Sequence, residues 1–305
     1  MRNFKKTMPK KIWVNGRLVD PRRPAVSVFD RGFLYGDGVY ETIRVYDGKP
    51  FQLEPHFQRL ARSLRGIGMR VPFGRAVLGD AVASVMAANR LADGVVRLTV
   101  TRGEGALGFD PASCRRPTVV LLAVPFASHP AVHYEKGVRA VFVRLRRNAK
   151  NALDPSIKSL NNLNNILAKM ESMKKGGQEA LMLNQEGYLT EGTISNIFFI
   201  SGGVLKTPSL DCGLLDGVTR SVVLSLAKRR SLAVWEGRCR PRHLFSAEEV
   251  FLTSTTLEVM PVTSVVDEQG RLRRIGSGQV GEWSGRLLRD YRRLITKATG
   301  KKFKI

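Results

Sequence analysis

Lys158 stands in the segment Ser156-Ile157-Lys158-Ser159-Leu160-Asn161-Asn162, where extended chain gives way to a helix. Glu191 follows about 33 residues later, in Thr190-Glu191-Gly192-Thr193-Ile194-Ser195-Asn196. A lysine amine can form an imine with an aldehyde cofactor, and a carboxylate can keep that cofactor's ring nitrogen protonated. The combination points to pyridoxal-phosphate chemistry and so to an enzyme acting on amino acids. The bland alternatives are a surface lysine and a strand-edge glutamate. Position argues against the first, because a cation at a helix N-terminus opposes the macrodipole.

A phosphate needs backbone N–H groups, hydroxyls and a cation. Leu215-Asp216-Gly217-Val218-Thr219-Arg220 brings a glycine turn into a helix start, with Thr219 in the first turn. Thr253-Ser254-Thr255-Thr256 offers successive hydroxyls after a strand. Arg59, in His56-Phe57-Gln58-Arg59-Leu60, lies just off the apolar stripe of its helix. Each also reads as an ordinary cap, turn or solvent-facing arginine. Gly276-Ser277-Gly278-Gln279-Val280-Gly281 fits Gly-x-Gly-x-x-Gly, yet too little chain follows for a βαβ unit. A loop capping the last helix is the better reading.

These groups must be held by alternating strands and helices. Ile12 to Arg17 reads as a strand and an Asn-Gly hairpin turn, with a second strand near Leu18 and extended chain from Ala25 to Phe29. Tyr40 to Tyr46 alternates as a strand and ends at an Asp47-Gly48 turn. Phe57, Leu60, Leu64 and Ile67 then recur at helical steps, so Glu54 to Gly66 is predicted to be a helix, and Arg75 to Asn89 a second. Val95 to Thr101 and Thr118 to Val124 read as strands around a long Gly- and Pro-rich loop. Residues 125–137 carry two prolines without a period and read as a linker.

Beyond it come a strand (Val138 to Leu145) and a helix (Leu160 to Lys174) carrying Leu160, Leu163, Leu167 and Met170. A strand meander follows, then a helix (Gly217 to Arg230), two strands (Glu249 to Thr253, Met260 to Val266) and a closing helix (Trp283 to Ala298). Strands and helices mix in both halves, so the class is α/β or α+β. The expected domains are residues 12–124 and 138–305, after a basic extension at residues 1–11.

The chain has 305 residues, 43% of them hydrophobic, enough for two globular domains. No apolar run approaches the roughly 20 residues that span a bilayer, and no secretory signal opens the chain, so a cytoplasmic address is expected. The three cysteines show no Cys-x-x-Cys spacing; His129 and His133 have the spacing of a ligand pair, but Pro130 between them argues against one helix carrying both, and no metal site is expected. The net charge of +24 supports a rival reading as a nucleic-acid-binding protein. The basic residues are scattered among ordinary amphipathic elements, however, and no nucleic-acid motif accompanies them. A solvated basic surface is the favoured reading.

Taken in order, the segments Phe29 to Arg44, His56 to Leu60, Thr101 to Gly105, Ile157 to Leu160, Glu191 to Asn196, Asp216 to Arg220 and Ser254 to Pro261 resemble the class IV, fold-type IV pyridoxal-phosphate enzymes. That family includes branched-chain and D-amino-acid aminotransferases and aminodeoxychorismate lyase. The resemblance implies two α/β domains with the cofactor between them, and a homodimer. It makes Lys158 the imine-forming and proton-moving residue and Glu191 the partner of the ring nitrogen. It assigns the phosphate to Arg59, Val218, Thr219 and Thr255, with Ser254 as a further candidate, counts Leu215 among the cofactor-binding residues, and places Ser195 and Asn196 beside the ring. It assigns the substrate to Tyr40, Arg44, Arg97 and Thr256. Branched-chain enzymes often carry a tyrosine where Leu163 stands, and a second where Val95 stands. The loop Arg102 to Pro111 resembles their prokaryotic members, and the Arg-x-His pair of the D-amino-acid branch is missing. A branched-chain-like transaminase passing the amino group of an L-amino acid to a 2-oxo acid is therefore ranked first. D-amino-acid transaminase and the lyase follow.

Overall fold

The structure, a computed structural model, describes residues 8–23, 26–70 and 73–303. Residues 1–7 of the basic extension and Ala25 lie outside them. The chain divides into two units: Met1–Ala127 with Ile157–Asn161 and Ile295–Ile305, and Ser128–Ser156 with Asn162–Leu294.

The first unit is built on a six-stranded antiparallel sheet. Its strands are β1 (Ile12–Val14), β2 (Arg17–Val19), β3 (Gly38–Tyr46), β4 (Lys49–Pro50), β5 (Gly94–Thr101) and β6 (Thr118–Pro125), in the order β2-β1-β6-β5-β3-β4. The hairpin turns fall where the sequence puts them. Asn15-Gly16 and Asp47-Gly48 both take positive φ, the conformation that two-residue hairpins require. Where extended chain is expected, Val26 lies in a bend and Val28 and Phe29 in a turn. A short helix, Arg31–Tyr35, follows, capped by the Asp30 carboxylate. Helix Leu53–Gly66 lays Phe57, Leu60 and Leu64 against β3, and helix Arg75–Asn89 packs Leu78, Val82 and Val85 into the same core with Ile43, Leu98 and Leu121. Each such side chain contributes about 1.5–3 kcal/mol by leaving water.

The lysine segment completes this sheet. The Tyr40 N–H donates to the Lys158 carbonyl (3.0 Å) and the Leu160 N–H to the Gly38 carbonyl (2.9 Å), while Ser159 bridges Val39. Leu160 is thereby held extended, and the helix expected from Leu160 begins at Leu163.

The second unit is a nine-stranded mixed sheet. Its strands are β7 (Val138–Phe142), β8 (Glu179–Leu183), β9 (Leu189–Gly192), β10 (Asn196–Ser201), β11 (Val204–Pro208), β12 (Val234–Gly237), β13 (Glu249–Ser254), β14 (Glu258–Val266) and β15 (Leu272–Arg274). The order is β12-β11-β10-β13-β14-β7-β8-β9, with β15 on β14. β7 and β8 are parallel and covered on both faces. Ala140 and Phe142 enter one apolar cluster and Val141 and Val143 the other, the two-residue period of a strand. The stretch read as a linker contains a helix, Ala131–Lys136, packed on β14. Glu249 caps the terminal helix Glu282–Thr299 by accepting from the Trp283 and Ser284 N–H groups, so the Gly-x-Gly-x-x-Gly stretch is a loop before a helix. Among the described residues no helix is long and apolar enough to cross a membrane.

Candidate active site

Two sets of candidate residues are assembled, one in each unit. In the first, β3 presents Tyr40 beside the lysine segment. The Lys158 ammonium lies 4.5 Å from the Tyr40 ring centroid, and the Arg97 guanidinium, from β5, lies 3.8 Å from it. Burial pushes the Tyr40 phenol up, but the two cations outweigh it and hold the phenol below its ordinary range. An amine, a phenol and a guanidinium thus crowd one spot, a natural seat for a carboxylate.

Glu41 points to the opposite face of β3 and is fully buried. Arg59 donates to it twice, Nε to Oε1 at 2.8 Å and Nη2 to Oε2 at 2.7 Å, and His56 Nδ1 lies 2.8 Å from Oε2. Burial would raise the Glu41 carboxyl; the guanidinium and imidazole bring it down to about 2. Burial is also the main reason His56 is held below its ordinary value, against the pull of Glu41. Arg44 lies further along β3. Its guanidinium sits over the Tyr46 and Phe126 rings, donates to the Gly94 and Val45 carbonyls and faces Asp93.

In the second unit Glu191 sits near the end of β9, buried, with one donor on each oxygen. Arg147 Nε donates to Oε1 at 2.8 Å and the Leu215 N–H to Oε2 at 3.0 Å. The Leu215 carbonyl in turn accepts from Asn196 Nδ2 at 2.8 Å. Helix Val218–Arg229 follows, with Gly217 at its N-cap, and among the described residues no side chain caps it. Val218 and Thr219 are buried there, and the Thr219 hydroxyl lies 3.5 Å from that of Tyr291. Ser195 donates to Glu179, which also accepts from the Thr193 and Ala180 N–H groups and so fixes the turn after Glu191. Ser254 ends β13, on which helix Val218–Arg229 packs, and Thr255 and Thr256 open the turn that follows. The Ser254 and Thr256 hydroxyls are 3.5 Å apart.

This arrangement has known counterparts. The profile of the family described as amino-transferase class IV matches residues 38–265. The chain belongs to the class IV aminotransferases. A protein of Methanocaldococcus jannaschii assigned as a branched-chain-amino-acid aminotransferase is 41% identical over 94% of this chain and 97% of its own. The D-alanine aminotransferase of Bacillus licheniformis is 35% identical over 89% of this chain and 92% of its own. Among solved structures, a T.th. branched-chain amino acid aminotransferase with pyridoxamine 5'-phosphate superposes with a TM-score of 0.88 at 31% identity. That match covers 96% of this chain and 95% of the other.

This aminotransferase is an enzyme that depends on pyridoxal phosphate. Its second unit suits that cofactor. A Cβ added at Gly217 would lie 2.0 Å from Asn196 Oδ1, so a side chain there would displace the Asn196 amide. The N–H groups and dipole of a helix start without a side-chain cap favour an anion. Beside Ser254, the Thr253 hydroxyl is buried without a hydrogen-bond partner among the described residues. Glu191, held by Arg147 and the Leu215 N–H, is a buried carboxylate of fixed orientation in the same unit.

Sequence reading did not single out Arg147, Glu179 or the Glu41 carboxylate. Arg147 hides in a basic run, and Glu179 declares itself only through contacts with residues a strand away. His56 and Arg59, three apart on a helix and both off its apolar stripe, were a legible signal for a shared polar partner.

Proposed function

We propose that this aminotransferase moves the amino group of an L-amino acid with a branched aliphatic side chain to a 2-oxo acid such as 2-oxoglutarate. The observation that carries the reading is the cluster of Lys158, Tyr40 and Arg97, which puts an amine beside a carboxylate seat. The 41% identity to the archaeal relative supports the substrate class.

Bound through Lys158, the cofactor supplies an electron sink for the bonds at the substrate's Cα. Lys158 takes the proton from Cα and returns it during the exchange. Glu191, aimed by Arg147 and the Leu215 N–H, holds the proton at the ring nitrogen. Arg59, the N–H groups after Gly217, Thr219, Ser254 and Thr255 hold the phosphate, and Leu215, Ser195 and Asn196 shape the seat of the ring. Arg97, Tyr40 and Thr256 orient the substrate's carboxylate. Arg44, its donors taken up by Gly94 and Val45, acts indirectly by holding that end of the β3–β5 ladder.

The working form is a cytoplasmic homodimer. Leu163, Ile166, Leu167, Met170 and Met173 form one exposed stripe along helix Leu163–Lys174, between 46% and 63% accessible, and a second copy would cover it.

A half-reaction panel tests the substrate. L-leucine is expected to change the bound cofactor's absorption spectrum, and D-alanine and aminodeoxychorismate are not. A response to D-alanine alone would make the enzyme a D-amino-acid transaminase. Pyruvate release from aminodeoxychorismate would make it the lyase. Lys158→Ala is expected to abolish both the visible absorption band and turnover; unchanged turnover would overturn the lysine's role.

A further inference from the structure

We propose that Glu41 and His56 are positioning residues for Arg59, and that this buried cluster sets the direction in which the guanidinium meets the cofactor's phosphate. The inference rests on the assignment of Arg59 to that phosphate. Glu41 and Arg59 meet as a two-pronged pair, which fixes the guanidinium plane as well as its distance. His56 shares Oε2 and blocks the carboxylate from rotating away. All three groups are almost fully buried. A buried ion pair is a poor way to stabilise a fold, since well-packed apolar residues serve as well or better. A geometric task accounts for its presence. The same helix face continues to Ser63, whose hydroxyl accepts from the Lys158 N–H at 3.1 Å. One rigid helix therefore sets the Arg59 guanidinium and the Lys158 backbone at a constant spacing.

The test compares pyridoxal phosphate with pyridoxal, which lacks the phosphate. Their dissociation constants are measured on the full chain stripped of cofactor, by quenching of tryptophan fluorescence. The ratio of the two isolates the phosphate's contribution and cancels any general loss of folded protein. Arg59→Gln and Glu41→Gln are each expected to shrink that ratio, Glu41→Gln roughly tenfold to hundredfold, by analogy with the loss when an outer partner of a metal ligand is removed. The double variant is expected to fall no further than Arg59→Gln alone. Glu41→Asp keeps the charge but shortens the reach, and is expected to shrink the ratio too. His56→Asn shifts it less, in the same direction.

If Glu41→Gln weakens both ligands equally, or adds fully to Arg59→Gln, the positioning role is wrong while the Arg59 assignment stands. If Arg59→Gln leaves the ratio unchanged, the assignment itself fails and the inference falls with it. Should Glu41→Gln not fold, Glu41→Asp and His56→Asn decide: an unchanged ratio in both overturns the proposal.

Discussion

Gly217 is a residue whose importance lies in what it lacks. Any side chain there would collide with Asn196, whose amide supports the Leu215 carbonyl, and Leu215 in turn donates to Glu191. Gly217→Ala is therefore expected to weaken pyridoxal phosphate about tenfold or more, a cost of about 1.4 kcal/mol, measured by cofactor titration. Unchanged affinity would show that the helix start does not touch the phosphate. Lys158 and Glu191 stand out in the sequence as candidates because their types and spacing suit a specific chemistry, and the structure surrounds each with polar or charged neighbours. Arg147 and Glu179 were not, because their roles exist only once distant strands meet. A charged residue in a basic run and one at a strand start give no local sign of the partners they will find.

At the scale of elements, β3 does the most. It pairs with β5 along its length, takes the lysine segment at one end, and places Tyr40 and Glu41 on opposite faces. Leu98, fully buried opposite Glu41, is expected to cost about 2–5 kcal/mol when cut to alanine, read from urea denaturation. The pH dependence has a definite sign. Glu41 titrates near 4.5 when unfolded and at about 2 when folded, so its stabilisation is complete above the first value and is lost as pH falls toward the second. His56 adds to this: below about 6.5 the unfolded imidazole takes a proton that the folded one resists. The stability gap between the wild-type chain and Glu41→Gln should narrow as pH drops from about 5 toward 2. A gap that stays constant would show that the carboxylate is not held ionised. Turn chemistry made the β1–β2 and β3–β4 hairpins readable. The start of helix Leu163–Lys174 was not, because periodicity alone cannot say that Leu160 is claimed by a backbone bond to Gly38.

For the whole molecule, two surface features stand against each other. A net charge of +24 keeps copies apart, while the exposed apolar stripe on helix Leu163–Lys174 asks for cover. Leu167→Glu with Met170→Glu is expected to convert a dimer into a monomer by light scattering, and added salt to favour the wild-type dimer. A wild-type chain that is monomeric at micromolar concentration would remove the stripe's proposed role. The two-unit plan has a further consequence for how the polypeptide is made. Phe303 packs on Tyr46 and Lys301 pairs with Asp93, so the ribosome must pass residue 303 before the first-made sheet has all its neighbours. A nascent chain halted near residue 294 would carry the lysine and every described strand, yet leave its earliest structure waiting for a segment still to be synthesised.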